Sequence, residues 1–229
     1  MQAIMETIFD VVYLCTVIFL GIKMFQNAGE RKEIKLFGMM AIVLGCGDAF
    51  HLVPRAYALC TDGLANHAAS LGFGKFVTSV TMTIFYVILY HIWRRHYQVK
   101  AQSGLTKAVY VLAAVRIALC LIPANRWLSP DAPLSWGIYR NLPFAVLGIL
   151  MIVLFYRKAT ETHDPIFRYM WLAITLSFGF YIPVVLWADA YPLVGTLMIP
   201  KTCAYVWIVW MGYQNMKKVN LKTERGNKR

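Results

Sequence analysis

The chain has 229 residues, of which 59% are hydrophobic and only 15% are charged, and its formal net charge at pH 7 is +12. Soluble domains average about 45–50% apolar and about 25% charged residues. This composition excludes a soluble globular enzyme, a disordered chain and a disulfide-stapled secreted module, and it predicts a single polytopic membrane domain.

Seven apolar runs are long enough to cross about 30 Å of hydrocarbon as helices, which takes roughly 20 residues each. They cover residues 4–26, 36–58, 71–93, 106–124, 138–156, 166–188 and 192–214. The first run has no basic segment before it and no small-residue cleavage pattern after it, so we expect a retained span rather than a signal peptide. The predicted fold is all-α, with one seven-helix transmembrane domain over residues 1–214 and a basic tail over residues 215–229.

Lysine and arginine are distributed unevenly between the two predicted sides of the membrane. Seventeen of the 23 lie in or beside the first, third and fifth loops and in the tail, together with five of the 11 acids. That side therefore carries the whole net charge. Because basic loops stay in the cytoplasm, the N-terminus is predicted outside and the C-terminus inside, in a plasma membrane or bacterial inner membrane. The same distribution favours contact with the lipid bilayer over binding of nucleic acid.

The five cysteines give no sign of a metal centre or a disulfide. Four lie within predicted spans and Cys60 is alone near an outer edge, with no Cys-x-x-Cys or Cys/His cluster. We therefore predict no metal ion and no other resident cofactor. The sequence predicts no particular oligomeric state.

Two spans share a faint pattern that suggests an internal repeat. Residues 41–44 are followed by Gly47 and Pro54, and residues 173–176 are followed by Gly179 and Pro183. Parallel three-helix repeats joined by a linker helix occur in small transporters, so a 3+1+3 repeat is one expectation. In size, span number and orientation the chain is similar to the SWEET-type sugar carriers. It lacks their Pro-Gln dipeptide, so the resemblance is architectural.

Span 2 carries three ionisable groups on one face. Asp48, His51 and Arg55 stand at i, i+3 and i+7, and an ionisable group at the bilayer centre costs about 2.5–3.5 kcal/mol on insertion scales. These groups could hold a metal or relay a proton, or they could simply neutralise one another. One hypothesis is a membrane-embedded lipid-modifying enzyme in which Asp48 and His51 are the catalytic acid/base pair.

Other spans add polar groups at matching depth. Arg116 lies near the middle of span 4 and needs an anionic partner, for which Asp48 or Asp10 is the natural candidate. Lys201 follows Pro200 in span 7, where a proline would free a backbone carbonyl. The residues predicted to bind a ligand are Asp10, Asp48, His51, Lys75, Ser79, Arg116, Arg140, Asn141, Tyr181 and Lys201.

Cations outnumber acids among these deep residues. The alternatives are that the charges only pair across the bundle, or that they line a pocket. A pocket with surplus positive charge suits a carboxylate, a phosphate or a lipid headgroup. The leading hypothesis is an outward-facing pocket for a small anionic or zwitterionic ligand, in a carrier or a sensor.

A lysine in the middle of a seventh span, after an outside N-terminus, resembles the microbial rhodopsins. Span 6 adds Phe178, Tyr181 and Trp187 around Pro183, similar to their aromatic retinal pocket. The resemblance implies that Lys201 carries retinal as a Schiff base. This chain departs from the family because span 3 has no acid and Leu197 stands where a second aspartate is expected. Asp48 would have to be the counterion.

Two further family resemblances imply little about the activity of the chain. The CREST-type seven-span hydrolases use an intramembrane zinc held by a His-x3-His pair in the last span. The five histidines here all lie elsewhere, at His51, His67, His91, His96 and His163. The strings at 47–55 and 75–83 resemble uncharacterised small bacterial seven-span membrane proteins, and that resemblance implies no activity.

Overall fold

Seven long helices follow one another in the computed structural model, which describes residues 2–100, 103–188 and 190–226. They are α1 (Gln2–Gln26), α2 (Lys32–Cys60), α3 (Ala68–His96), α4 (Ser103–Leu121), α5 (Leu134–Thr162), α6 (Met170–Trp187) and α7 (Met198–Gly226). Short 3-10 helices at Leu64–His67, Pro123–Asn125 and Pro192–Leu197 lie before α3, after α4 and before α7. No strand occurs in these described ranges, so the predicted all-α class is confirmed.

The seven helices are all long and apolar enough to cross a membrane, as the sequence predicted. Four of them, α2, α3, α5 and α7, have 29 residues each. At 1.5 Å per residue they reach about 43 Å and extend beyond a hydrocarbon layer of about 30 Å. Large apolar side chains such as Phe19, Val111 and Leu142 are exposed on the outside of the bundle. Contact with lipid is favourable for such side chains, whereas contact with water is not.

The helices form a closed ring. Each packs against its neighbours in the chain, and α7 returns to contact α1. Across the interior, α7 also contacts α2, and α3 contacts α5. A large aromatic core fills one half of the bundle, with Phe37, Phe85, Tyr90, Trp93 and Phe155 almost completely buried. The 3+1+3 repeat stays a prediction.

Glycines allow α2 and α3 to approach their neighbours closely. A Cβ at Gly38 of α2 would lie 2.6 Å from the backbone nitrogen of Phe25 on α1, and one at Gly74 of α3 would overlap the carbonyl oxygen of Phe50 on α2. Only a residue without a side chain fits at such backbone contacts. This packing holds the polar residues of α2 firmly between α1 and α3.

Most helix boundaries differ by a few residues from the predicted spans, and three of the differences are informative. α4 ends at Leu121 rather than 124, because Pro123 cannot continue a helix. α6 begins at Met170 rather than 166, and the residues before it form a turn in which the Asp164 carboxylate accepts the backbone N–H groups of Ile166 and Phe167. The basic tail is helical as far as Gly226, where Asn220 accepts a hydrogen bond from Arg31.

Pro200 is the third residue of α7 and does not interrupt a helix. The first N–H groups of a helix have no partner within that helix, so proline is tolerated there. The sequence had suggested that Pro200 opens a polar site in mid-helix. The structure instead makes it part of the helix start, with Lys201 in the first turn.

Candidate functional site: a buried polar cluster in the bundle

A polar cluster lies inside the bundle, with residues from α1, α2, α4, α6 and α7. We call its members the central cluster: Tyr13, Asp48, Arg116, Tyr181, Lys201 and Tyr205. The Tyr13 hydroxyl donates to Oδ2 of Asp48 over 2.6 Å. Lys201 is the cation that acts most strongly on the Asp48 carboxylate, yet no ion pair within 4.0 Å joins these two described residues. The two opposite charges therefore face each other with a gap between them.

Lys201 is only 8% exposed, and two aromatic rings surround its ammonium group. Nζ lies 4.7 Å from the ring centroid of Tyr181 and 5.5 Å from that of Tyr205. A desolvated cation over an aromatic face gains about 2 kcal/mol. An ammonium group has three N–H donors, and rings do not satisfy them as an oxygen acceptor does. Lys201 is therefore held in place but incompletely paired.

Arg116 is 2% exposed and stacks on a ring instead of pairing with an acid. Its guanidinium carbon lies 3.4 Å from the ring centroid of Phe144. Within the part of the chain that the structure describes, its Nε and Nη1 atoms are buried without a hydrogen-bond partner. The expected ion pair with Asp48 or Asp10 is therefore not formed. The N–H groups of these two nitrogen atoms can therefore donate to an acceptor from outside the chain.

Hydroxyl and amide groups extend the cluster toward α5 and α6. The Tyr181 hydroxyl donates to Oδ1 of Asn141 over 3.2 Å. The hydroxyls of Tyr86 and Ser177 are 3.5 Å apart, and Tyr86 is also an electrostatic neighbour of Arg116. Asn141 thus joins the central cluster through Tyr181.

Arg140 is held by the loop after α4. Its Nη1 donates to Oδ1 of buried Asn125 over 3.0 Å, and its guanidinium lies 4.2 Å from the ring centroid of Trp127. These contacts anchor Arg140 at the end of the bundle opposite the basic loops. It lies at the edge of the central cluster rather than within it.

Asp10 is on α1, near Asp48 but outside the central cluster. It is 7% exposed, and its Oδ2 atom is buried with no hydrogen-bond partner among the described residues. One turn earlier on α1, Glu6 forms an ion pair with Arg55 of α2. Arg55 therefore neutralises Glu6 rather than Asp48, although Asp48 and Arg55 share a face of α2.

His51 points away from Asp48 toward α3. Its Nδ1 atom is buried without a hydrogen-bond partner in the described ranges, and the cation that acts on it most strongly is Lys75. Lys75 itself is exposed, and Ser79 bonds its own helix, with Oγ 2.8 Å from the carbonyl oxygen of Lys75. The structure therefore does not bring Lys75 or Ser79 into the central cluster.

The described residues contain no group of three His, Cys, Asp or Glu side chains that could hold a metal ion. For retinal, Asp48 faces Lys201 as a counterion would. However, the rings of Tyr86, Phe144 and Phe178 pack with centroids 4.9–5.6 Å apart beside the cluster. A polyene would have to displace these rings, so the residues present fit retinal poorly.

A second polar group, which we call the His96 network, closes the basic end of the bundle. His96 bridges two carboxylates, with Nδ1 2.9 Å from Oε1 of Glu33 and Nε2 2.8 Å from Oδ2 of Asp164. Asn215 donates to Oε1 of Glu33 over 2.7 Å, and the Tyr97 hydroxyl donates to Oδ2 of Asp164 over 2.9 Å. A histidine that donates to two carboxylates is an imidazolium.

Asp164 is paired at both oxygens. Oδ1 accepts the backbone N–H groups of Ile166 and Phe167 over 2.8 and 3.2 Å. Burial alone would raise the pKa of Asp164, but the hydrogen bonds from His96 and from this backbone lower it well below its usual range. Burial and the nearby Asp164 charge together raise the pKa of Tyr97. A cavity of about 500 Å³ lies beside the network.

Sequence reasoning missed the His96 network and the role of Phe144. Glu33, His96, Asp164 and Asn215 lie on three helices and one loop, and no spacing in the sequence connects them. The only signal was the presence of acids on a side rich in cations. No protein-family model, curated protein or solved structure matches this chain.

Proposed function

We propose that the chain is a multi-pass protein of the plasma membrane or bacterial inner membrane whose central cluster binds a small anionic or zwitterionic ligand, as a carrier or a sensor. The observation that carries this proposal is Arg116, a buried guanidinium whose Nε and Nη1 atoms have no hydrogen-bond partner among the described residues. A buried charge without a partner is strongly unfavourable. A ligand oxygen would satisfy both donors and would make their burial favourable.

Charge counting supports an anion over a cation. Arg116 and Lys201 face one carboxylate, Asp48, which Tyr13 already hydrogen-bonds. Arginine stays charged under all ordinary conditions, so the site lacks negative charge whenever the neighbouring Asp10 is protonated. A carboxylate or phosphate group would supply it with charge-assisted hydrogen bonds. The ammonium end of a zwitterion would find Asp48 and the faces of Tyr181 and Tyr205.

The position of the cluster agrees with ligand access from the end opposite the basic loops. Asn141 and Tyr181 connect it toward that end, where Arg140 is anchored. The aromatic core and the His96 network separate it from the basic end. We place the basic end in the cytoplasm, next to anionic lipid, which gives a pocket that faces outward.

A lipid-modifying enzyme is the second candidate, and His51 is the observation in its favour. A buried imidazole nitrogen without a partner is available to take a proton from a substrate. Against this, no hydrogen bond joins His51 to Asp48 among the described contacts, so the two do not form a ready acid/base pair. Retinal binding at Lys201 is the third candidate and requires the aromatic rings to move.

Ligand-dependent thermal stabilisation of the purified protein in detergent tests the proposal. The panel comprises lactate, succinate, inorganic phosphate, alanine and glycine betaine. A ligand at 100 times its dissociation constant stabilises by about 2.7 kcal/mol, or roughly 5–10 °C for a domain of this size. We expect at least one panel member to produce such a shift in the wild type and none in Lys201→Met.

Lys75→Met is the matched control, because it removes an exposed lysine from a neighbouring helix. It should respond to ligands as the wild type does. The proposal is wrong if no panel member stabilises the wild type more than Lys201→Met. Adding retinal and finding a visible absorption band that Lys201→Met abolishes would instead favour the third candidate.

A further inference from the structure

Asp10 is a buried acid that the proposed binding site does not itself use. Its Oδ2 atom has no hydrogen-bond donor within the described part of the chain. An ionised carboxylate at that position has nothing to replace the water it has lost, whereas a protonated carboxyl is neutral and avoids most of that cost. A further negative charge placed nearby would therefore favour uptake of a proton by Asp10.

Charged groups from two helices act on Asp10. On α1, Glu6 lies one turn away. On α2, Arg55 and Asp48 act on it from either side. α7 brings Lys201 and Tyr205 to the same region, beside Asp48 and Tyr13.

Partly exposed ionisable groups at the bundle surface act on Asp10. The Glu6 and Arg55 side chains that form the ion pair on one side of it are 18% and 31% exposed. Asp48 lies on its other side and faces Lys201. Asp10 thus stands between the surface and the central cluster. Chains of ionisable side chains in this arrangement relay protons in membrane proteins.

The balance of charge connects this proton to the ligand. Lys201 and Arg116 carry two positive charges, which Asp48 and Asp10 cancel when both are ionised. An added anion would then leave the buried region with a net negative charge. A proton on Asp10 restores neutrality, and Asp10 is the better acceptor because Asp48 already has a hydrogen bond from Tyr13.

We propose that the protein binds one proton at Asp10 together with each anion at Arg116 and Lys201, so that the proton is the coupling ion of the central cluster. This inference rests on the proposed function. Linkage is reciprocal: protonation strengthens anion binding by the same factor by which the anion strengthens protonation. Anion affinity should therefore rise as the pH falls.

The experiment measures the affinity of the wild type, Asp10→Asn and Asp131→Asn for lactate and methanesulfonate by thermal stabilisation in detergent. It is done at about pH 5.5 and about pH 7.5, where both probes keep one negative charge. In the wild type we expect the apparent dissociation constant to be about tenfold smaller at the lower pH.

Asparagine imitates a protonated aspartate, so Asp10→Asn should bind tightly at both pH values, with less than about a twofold difference. Asp131 is exposed, and its variant should behave like the wild type.

The outcomes separate the two proposals. An anion response whose pH dependence is the same in Asp10→Asn and in the wild type would overturn the coupling and leave the binding site standing. Anion binding that does not depend on pH in the wild type would do the same. If neither probe stabilises any of the three proteins, and the wider panel fails too, both proposals fall.

Discussion

The His96 network and the central cluster are both buried polar groups in one bundle, and they differ in how completely they are paired. His96 uses both ring nitrogens, and Asp164 accepts hydrogen bonds at both oxygens. Arg116 in the central cluster and Asp10 next to it each have buried polar atoms without a partner in the described residues. Satisfied networks stabilise a fold, whereas unpaired buried groups destabilise it. We infer that the His96 network stabilises the bundle and that the central cluster binds the ligand.

Removing the imidazole of the His96 network should have the largest effect on stability. His96→Leu leaves the Glu33 and Asp164 carboxylates facing each other without a cation, and breaking a buried pair in this way costs about 3 kcal/mol. The melting temperature of the detergent-solubilised protein should fall by roughly 6–12 °C. His67→Leu is the control, because the His67 side chain pairs with the exposed Asp62 and packs against the ring of Tyr57, at the other end of the bundle from the network. Equal melting temperatures for the two variants would show that the network does not stabilise the bundle.

Acid should weaken the same network through Asp164. Because its pKa is lowered in the folded state, the carboxylate contributes its full stability above the unfolded pKa near 4, and this is lost as pH falls toward the folded pKa. Asp164→Asn should therefore cost about 2 kcal/mol at neutral pH, and the difference from the wild type should shrink below about pH 3. Melting temperatures measured across this pH range test it. A difference that stays constant down to acid pH would mean that the charge of Asp164 is not what stabilises the loop.

The contrast between the two regions also shows what the sequence can predict. Seven spans follow from apolar run length, because each helix must satisfy its backbone within itself. Asp48, Arg116 and Lys201 stand out as charges at bilayer depth, so their identity could be predicted from the sequence. The pairing of these charges could not, since Phe144 on α5 looks like an ordinary apolar residue and Tyr13 is one of several tyrosines at a similar depth. Lys75 was predicted to bind a ligand and yet lies exposed. Helical spacing in a sequence shows which residues share a face of a helix, but it does not show what that face contacts.

Arg116→Met should separate binding from stability. Replacing a buried, incompletely paired charge with an apolar side chain of similar size is neutral or stabilising by about 1 kcal/mol, and Met can keep contact with Phe144. We expect an unchanged or slightly raised melting temperature together with loss of the anion response. Arg126→Met, which removes an exposed arginine, should leave both measurements unchanged. A fall in stability comparable to that of His96→Leu would contradict the distinction between the two regions.

Lys75→Met should have the smallest effect. It tests whether the position of a lysine in the structure or its placement in the sequence identifies the binding site. Lys75 and Lys201 are both lysines in the half of the bundle opposite the basic loops, and the sequence assigned both to the pocket. Only Lys201 is buried beside Asp48. Lys75→Met should therefore change stability by less than about 0.5 kcal/mol and leave anion-dependent stabilisation intact, whereas Lys201→Met abolishes it. If the two variants lose the anion response equally, the ligand reaches α3, and the site extends past His51 to a face that is exposed in this structure.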